Sequence, residues 1–337
     1  MRKYGIILAL SGLMLGTAAL AEDGVPIWAY PVPQAMPAPS KPDNTIQKKV
    51  PGSKVRFTDA GVADRFVVPD WFPGDHPPMP EVVAHGRKPQ VFACGYCHLP
   101  NGQGRPENAS LAGQPAQYII EQVTEMKEGR RKTSQPTMGS IKSMYQVAGA
   151  VSPDELKIAA DYFSRLKYKK WIRVVESDTV PKFDVSSHNM LVKAKEAGSE
   201  PIGNRIVELP ENLDLVELRD PNSGFVAYVP KGAIARGKKL VQSGNGAFPC
   251  ASCHGATLKG DGNVPGLAGR SPSGIVRQLY DIQEEYAQAQ VAEGDQFVQL
   301  YRSLGGGWEN YQAVPDIRRP QPAIIAAFRR AVESSAP

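Results

Sequence analysis

Apolar residues in this 337-residue chain change their spacing several times, and the changes divide it into five stretches. Residues 1–21 place Arg2 and Lys3 before an apolar run from Gly5 to Ala18 and the small-residue site Ala19-Leu20-Ala21, the pattern of a secretory signal. Residues 22–79 carry prolines 26, 31, 33, 37, 39 and 42, then 69, 73, 77 and 78, which predict an extended strap pinned by Trp28, Tyr30, Trp71 and Phe72. From Pro80 the pattern becomes helical. A short helix runs through Val83 and Arg87, and a second spans Pro115 to Glu128 with Tyr118, Ile119, Val123 and Met126 near its buried face. A third opens on the capping box Ser152-Pro153-Asp154-Glu155 and repeats Leu156, Ala159, Ala160, Phe163 and Leu166 at helical spacing.

Residues 168–231 switch to short β-like runs at 171–175, 205–209 and 224–229, punctuated by Pro, Gly and Asn. A stretch of this length is too long for a bare loop, so a small antiparallel sheet is expected between two helical units. The second unit, 232–337, starts with Ala233, Ile234, Leu240 and Val241 on a helix and closes with a helix over Pro322–Val332. The expected fold is therefore mostly α: unit 80–167, connector 168–231, unit 232–337, and the Pro-rich extension 22–79 laid over the first unit.

The two helical units are copies. Cys94-Gly95-Tyr96-Cys97-His98 matches Cys250-Ala251-Ser252-Cys253-His254, and Leu111-Ala112-Gly113 and Leu267-Ala268-Gly269 follow at the same offset of 17 residues. Ile119-Ile120 matches Ile275-Val276, and Gln122-Val123 matches Gln278-Leu279, without a gap; the likeness fades after about Gln283.

These two sites use all four cysteines. Two cysteines three positions apart can form thioethers with the two vinyl groups of one haem, while the next residue, histidine, reaches the iron from the same face. A four-cysteine zinc ribbon would want its pairs roughly 15–20 residues apart, against about 150 here. A thioredoxin-like dithiol fits the first site taken alone, as would a plain disulfide, but neither explains the histidines or the repeat.

With Cys-x-x-Cys-His, the glycine-rich run after it, Leu-Ala-Gly and the closing helix in view, the chain resembles a tandem di-haem class I cytochrome c of the bacterial periplasm over about residues 80–167 and 232–337. The resemblance implies two covalent haems c, held by Cys94 and Cys97 and by Cys250 and Cys253, with His98 and His254 on the irons. It implies a later methionine opposite His98. Met144, seven residues before Val151, has the fitting spacing, and Met138 and Met126 are the other candidates. Pro265 sits where the family's proline carbonyl steadies the proximal histidine, and Ala109 stands there in the first copy. His76 and His85 precede the first haem motif and read as surface or structural rather than ligating. The helix from Ser152 would pack on the one before Cys94.

Removing residues 1–21 takes the formal net charge from +5 to 5 − 2 = +3, which is no nucleic-acid footprint. The implied function is electron transfer in the periplasm between redox proteins, a dehydrogenase or a terminal oxidase. An uncleaved leader would add a weak membrane tether. No separate catalytic constellation stands out, which favours the carrier reading; the alternatives are a haem subunit of such a complex, or a peroxidase-like enzyme. The enzyme alternative rests on the second copy. Residues 255–337 contain no Met, His or Cys; Lys259 is too close to His254, and Leu300 occupies the place equivalent to Met144. The second iron would then be five-coordinate or weakly ligated, or would borrow Met190 or His188 from the connector.

Overall fold

A computed structural model describes residues 25–34, 43–244 and 248–303. The signal-like stretch 1–21 and the closing helix expected at Pro322–Val332 lie outside the described residues. No helix among the described residues is long and apolar enough to cross a membrane.

The Pro-rich extension has three separate anchorages. Ala29 and Tyr30 are fully buried with Met138, against Val276 and Tyr280 of the second unit. Further on, β1 (Gln47–Lys48) pairs with β2 (Phe57–Thr58), and α1 (Asp59–Ala63) follows, its cap Thr58 accepting from the Gly61 amide. Here Val50, Val62 and Trp71 form a core with Leu215 and Leu218 of the connector, and the Trp71 indole donates to the Leu218 carbonyl at 2.7 Å. Val68 then packs with Ala93 and Tyr96. An extended segment gains stability where its few large apolar residues are removed from water, and here those places lie on both units and the connector.

In the first unit α2 (Glu81–Ala84) and α3 (Cys94–His98) lead to α4 (Ala116–Lys127), α5 (Gly139–Ala150) and α6 (Pro153–Arg165). The α6 box is fully formed: Ser152 Oγ accepts from the Glu155 amide at 3.2 Å and Glu155 Oε2 accepts from the Ser152 amide at 2.8 Å. Helix α6 packs against α2 and α4 through Ala160, Phe163, Val83, Ile119 and Val123. Helix α5 shows only weak amphipathic spacing in the sequence, and it carries Met144.

The connector folds as β3 (Ile172–Glu176), β4 (Thr179–Pro181), β5 (Phe183–Val185), β6 (Leu191–Lys193), β7 (Ser199–Pro201), β8 (Val207–Pro210), α7 (Leu213–Glu217) and β9 (Phe225–Val229). This corrects the expectation of a mostly α chain: among the described residues nine strands form four small sheets. The physical reason is the density of β-branched and aromatic residues in the connector, together with a hairpin inside the Pro-rich extension. The main sheet, β3-β9-β8, is also mixed rather than antiparallel, because β3 runs parallel to β9. Parallel neighbours need a long crossover. The two hairpins β4·β7 and β5·β6, with β8 and α7, supply it.

The second unit holds α8 (Ala233–Ser243), α9 (Ala251–His254) and α10 (Pro272–Ser303). Glycines with left-handed backbone bound α8, Gly232 at φ 76° and Gly244 at φ 72°. No residue of α8 is buried.

Candidate haem sites

Helix α3 is a single turn, so Cys94, Cys97 and His98 share one side of it. Gly95 between them lies against Val68 and the Val83 carbonyl, where an added Cβ would sit at 3.1 Å. The strand-like approach to α3 is thereby pressed onto α2. His98 Nδ1 lies 2.8 Å from the Ala109 carbonyl, which fixes the tautomer with hydrogen on Nδ1 and leaves the Nε2 lone pair free. Burial, only partly offset by that carbonyl, holds the imidazole pKa below its usual value, so the ring is neutral as a metal ligand requires.

Cys94, Cys97 and His98 open onto a cavity of about 310 Å³. Its lining is mainly apolar and includes Ile119, Val123, Met126, Met144 and Phe163 from the first unit. The second unit contributes Leu267, Ile275, Arg270 and Arg277. The thiols of all four cysteines are free of disulfides. Burial, and then the neighbouring Cys97, push the Cys94 thiol up to about 12, the reverse of what an exchange nucleophile needs. A mainly apolar cavity lined by two free thiols, a neutral histidine and a thioether fits a haem.

The candidate methionines separate in space. Met144 and Met126 both line the cavity. Met138 is the N-cap of α5 and is fully buried beneath Ala29 and Tyr30, in a different apolar cluster. Among the remaining histidines, His76 lies 3.1 Å from Asp70 and 3.2 Å from the Tyr162 hydroxyl, and His85 caps the end of α2.

At the second site Cys250 caps α9, and His254 Nδ1 lies 2.8 Å from the Pro265 carbonyl, the same arrangement as His98 with Ala109. The surroundings differ. Phe248 is 91% exposed, and Leu279 is 52% exposed where its counterpart Val123 is 7% exposed. Met190, considered as a borrowed ligand, is buried against Trp171 and Phe225 in the connector core. His188 is exposed, in the field of Arg105, Arg219 and Arg65. The side chain of Leu300 lies outside the described residues.

The two units meet through matching loops. Gln114 exchanges hydrogen bonds with the Gly266 backbone, and Arg270, which holds the place of Gln114 in the second copy, donates to the Ser110 carbonyl at 3.0 Å and the Ala112 carbonyl at 2.7 Å. Ser110 and Gly266 are themselves equivalent positions, so each unit uses the same patch on the other, as across a two-fold axis. Gly269 (φ 76°) permits a close approach to the connector: its carbonyl accepts from the Tyr168 hydroxyl at 2.6 Å, and a Cβ would strike that ring. Sequence reasoning missed Gln114 and Arg270. The available signal was their shared place one residue after each Leu-Ala-Gly.

No family model matches the chain. It is 34% identical over 76 residues to cytochrome c4 of Azotobacter vinelandii, covering 22% of this chain and 34% of that protein. It is 35% identical over 78 residues to the thiosulfate dehydrogenase electron acceptor of Stutzerimonas stutzeri (strain A1501), covering 23% of this chain and 34% of that protein. The chain thus spans about a third of the length of the curated relatives it matches. Among solved structures, thiosulfate dehydrogenase (TsdBA) from Marichromatium purpuratum aligns at TM-score 0.35 and 19% identity over 58% of this chain and 30% of that one, a likeness too slight to carry an argument. The matched stretches and the two Cys-x-x-Cys-His sites together support a c-type cytochrome.

Proposed function

We propose that this protein is an exported di-haem c-type cytochrome that carries electrons between redox proteins. Cys94 and Cys97 anchor one haem and Cys250 and Cys253 the other, with His98 and His254 as proximal ligands and Met144 as the distal ligand of the first. Haem held there supplies one-electron Fe(II)/Fe(III) chemistry. The chain's own residues orient the two imidazoles through the Ala109 and Pro265 carbonyls and tie the two sites together at the Gln114–Gly266 contact. The observation that carries the reading is the duplicated geometry, each Cys-x-x-Cys-His with its histidine Nδ1 2.8 Å from a carbonyl eleven residues on.

The function units are residues 80–167 and 232–337, with residues 1–21 acting as the export signal and the periplasm as destination. The partners are a dehydrogenase or a terminal oxidase; the local likeness to a thiosulfate dehydrogenase electron acceptor favours the dehydrogenase side. A second reading, peroxidase-like chemistry at the second haem, is favoured by the lack of Met, His or Cys in residues 255–337.

Acid–acetone extraction of the purified exported protein tests the assignment. The colour stays with the polypeptide, and its mass exceeds the processed chain by two haems. Extraction of the colour, or a mass increase of one haem, would refute it.

A further inference from the structure

Six charged side chains border the cavity at the first site: Arg131, Lys132, Arg270 and Arg277 against Glu107 and Asp281. Four cations thus face two carboxylates across a lining that is otherwise mainly apolar. Arg277 lies in the field of Glu208, Glu107 and Asp281, Lys132 is exposed to water, and Arg131 beside it donates to Gln278 Oε1 at 2.7 Å. Arg270 has no such compensation. Its side chain is half-buried, and Nη1 donates to the Ser110 carbonyl at 3.0 Å and hydroxyl at 2.7 Å, while Nη2 donates to the Ala112 carbonyl at 2.7 Å. The Nε hydrogen is buried without a partner, and the guanidinium carbon stands 4.9 Å from the centre of the Tyr168 ring. Every one of these partners is neutral, and no carboxylate of the described residues pairs with Arg270. A cation drawn out of water and met only by neutral dipoles is destabilising until an anion joins it.

The contact between the units does not itself need this charge. Gln114 holds the equivalent place in the first copy and reaches Gly266 with a neutral amide. The positive charge at position 270 therefore answers to something other than the interface, and the cavity it borders supplies the reason. Haem carries two propionate carboxylates, and a mainly apolar cavity accepts a carboxylate where a fixed cation faces it.

We propose that Arg270, a residue of the second unit, is the counter-charge for a propionate of the haem in the first unit, so that one cofactor is held by residues of both. The assignment rests on the haem reading above. The guanidinium keeps its charge across the whole physiological range, and the Ser110 and Ala112 carbonyls with the Tyr168 ring already fix its position, so little order remains to be imposed when the carboxylate arrives. Arg270 is in this sense a positioning residue. It also shields the iron from the propionate's negative charge, which unpaired would favour Fe(III).

The test compares the haem-loaded protein, its propionate carboxyls isotopically labelled, as wild type, Arg270→Gln and Arg270→Lys, by redox titration and redox-difference infrared spectroscopy. In Arg270→Gln the potential of one centre falls at about pH 8 and climbs again toward about pH 5 as the unpaired propionate takes a proton, a slope steeper than that of the wild type. The labelled carboxylate band shifts with it. Arg270→Lys restores the potential and shifts the band alone, because an ammonium replaces the guanidinium fork. The other titratable groups on the cavity wall, Glu107, Asp281, Tyr118 and Tyr145, and Tyr168 beside Arg270, are common to all three proteins and do not distinguish them. A labelled band identical in the three proteins would overturn the pairing even if the potential moved, since the loss of any nearby charge moves a potential. A protein without haem shows neither a redox couple nor a labelled band, which is failure of the haem reading and takes this assignment with it. Should Arg270→Gln not fold, the band in Arg270→Lys decides, and an unshifted one overturns the proposal.

Discussion

The Gln114 side-chain amide meets the Gly266 peptide in both directions, donating to its carbonyl at 3.1 Å and accepting from its amide at 2.9 Å. A side chain standing in for a β-ladder partner is sensitive to loss, because both backbone groups of Gly266 are left buried and unpaired. Gln114→Ala therefore costs about 1–3 kcal/mol of stability. Urea unfolding followed by tryptophan fluorescence measures it. A midpoint equal to wild type would show the contact to be dispensable.

Met144→Ala and Met138→Ala are expected to separate cleanly. The first removes a thioether from the cavity lining and converts one low-spin ferric signal to high-spin. The second leaves the spectrum intact but opens a void beneath Tyr30, destabilising the protein by about 2–5 kcal/mol. Electron paramagnetic resonance and thermal melting of both variants check the pair. A spectral change in Met138→Ala alone would reassign the ligand.

Acid should loosen the first unit through Glu155. Its carboxyl is held at about 2, chiefly by the Arg87 guanidinium 2.8 Å away and then, against a desolvation cost, by its place in the capping box. A depressed carboxylate stabilises the fold above its unfolded value of 4.5, and that stability is lost as pH falls from 4.5 to about 2. Glu155→Gln is less stable than wild type at neutral pH, and the gap closes over that window. Melting temperatures along a pH series read this out, and a gap that persists at the acid end would contradict it.

At the second centre the reduced protein is expected to bind about one carbon monoxide per chain, because a haem without a strong sixth ligand leaves its iron open. Met190→Ala lowers stability by about 2–5 kcal/mol without altering either haem spectrum, since that side chain belongs with Trp171 and Phe225. Gas titration and the melt together test this. Two haems that both refuse carbon monoxide would show that another ligand reaches His254's iron.

Local signals were the legible part of this sequence. The Cys-x-x-Cys-His pentads, the matched Leu-Ala-Gly offsets and the Ser152 box each confine their information to a few neighbouring positions, and Ser152 and Glu155 pair as expected. What escaped depends on partners far away along the chain. Nothing near Met138 says that Tyr30 will cover it, nothing near Glu208 announces Ser271, and the parallel pairing of Ile172 with Phe225 depends on the path of the 52 intervening residues. The mostly α expectation failed for a related reason. Helical periodicity is conspicuous over twelve residues, whereas strands of three, such as Phe183–Val185 and Leu191–Lys193, are too short to show a period and form only because each finds the other.

The Tyr30 hydroxyl lies 2.6 Å from Asp281, a partner 251 positions later. A ribosome releases the chain from its N-terminus, so Tyr30 waits for nearly the whole protein before this contact can exist. Val276 and Tyr280, which pack on the cluster of Tyr30 and Met138, arrive equally late. The nascent chain therefore carries its first cysteine pair beside an unfinished cavity, and the arrival of α10 supplies the missing part of that cavity's wall.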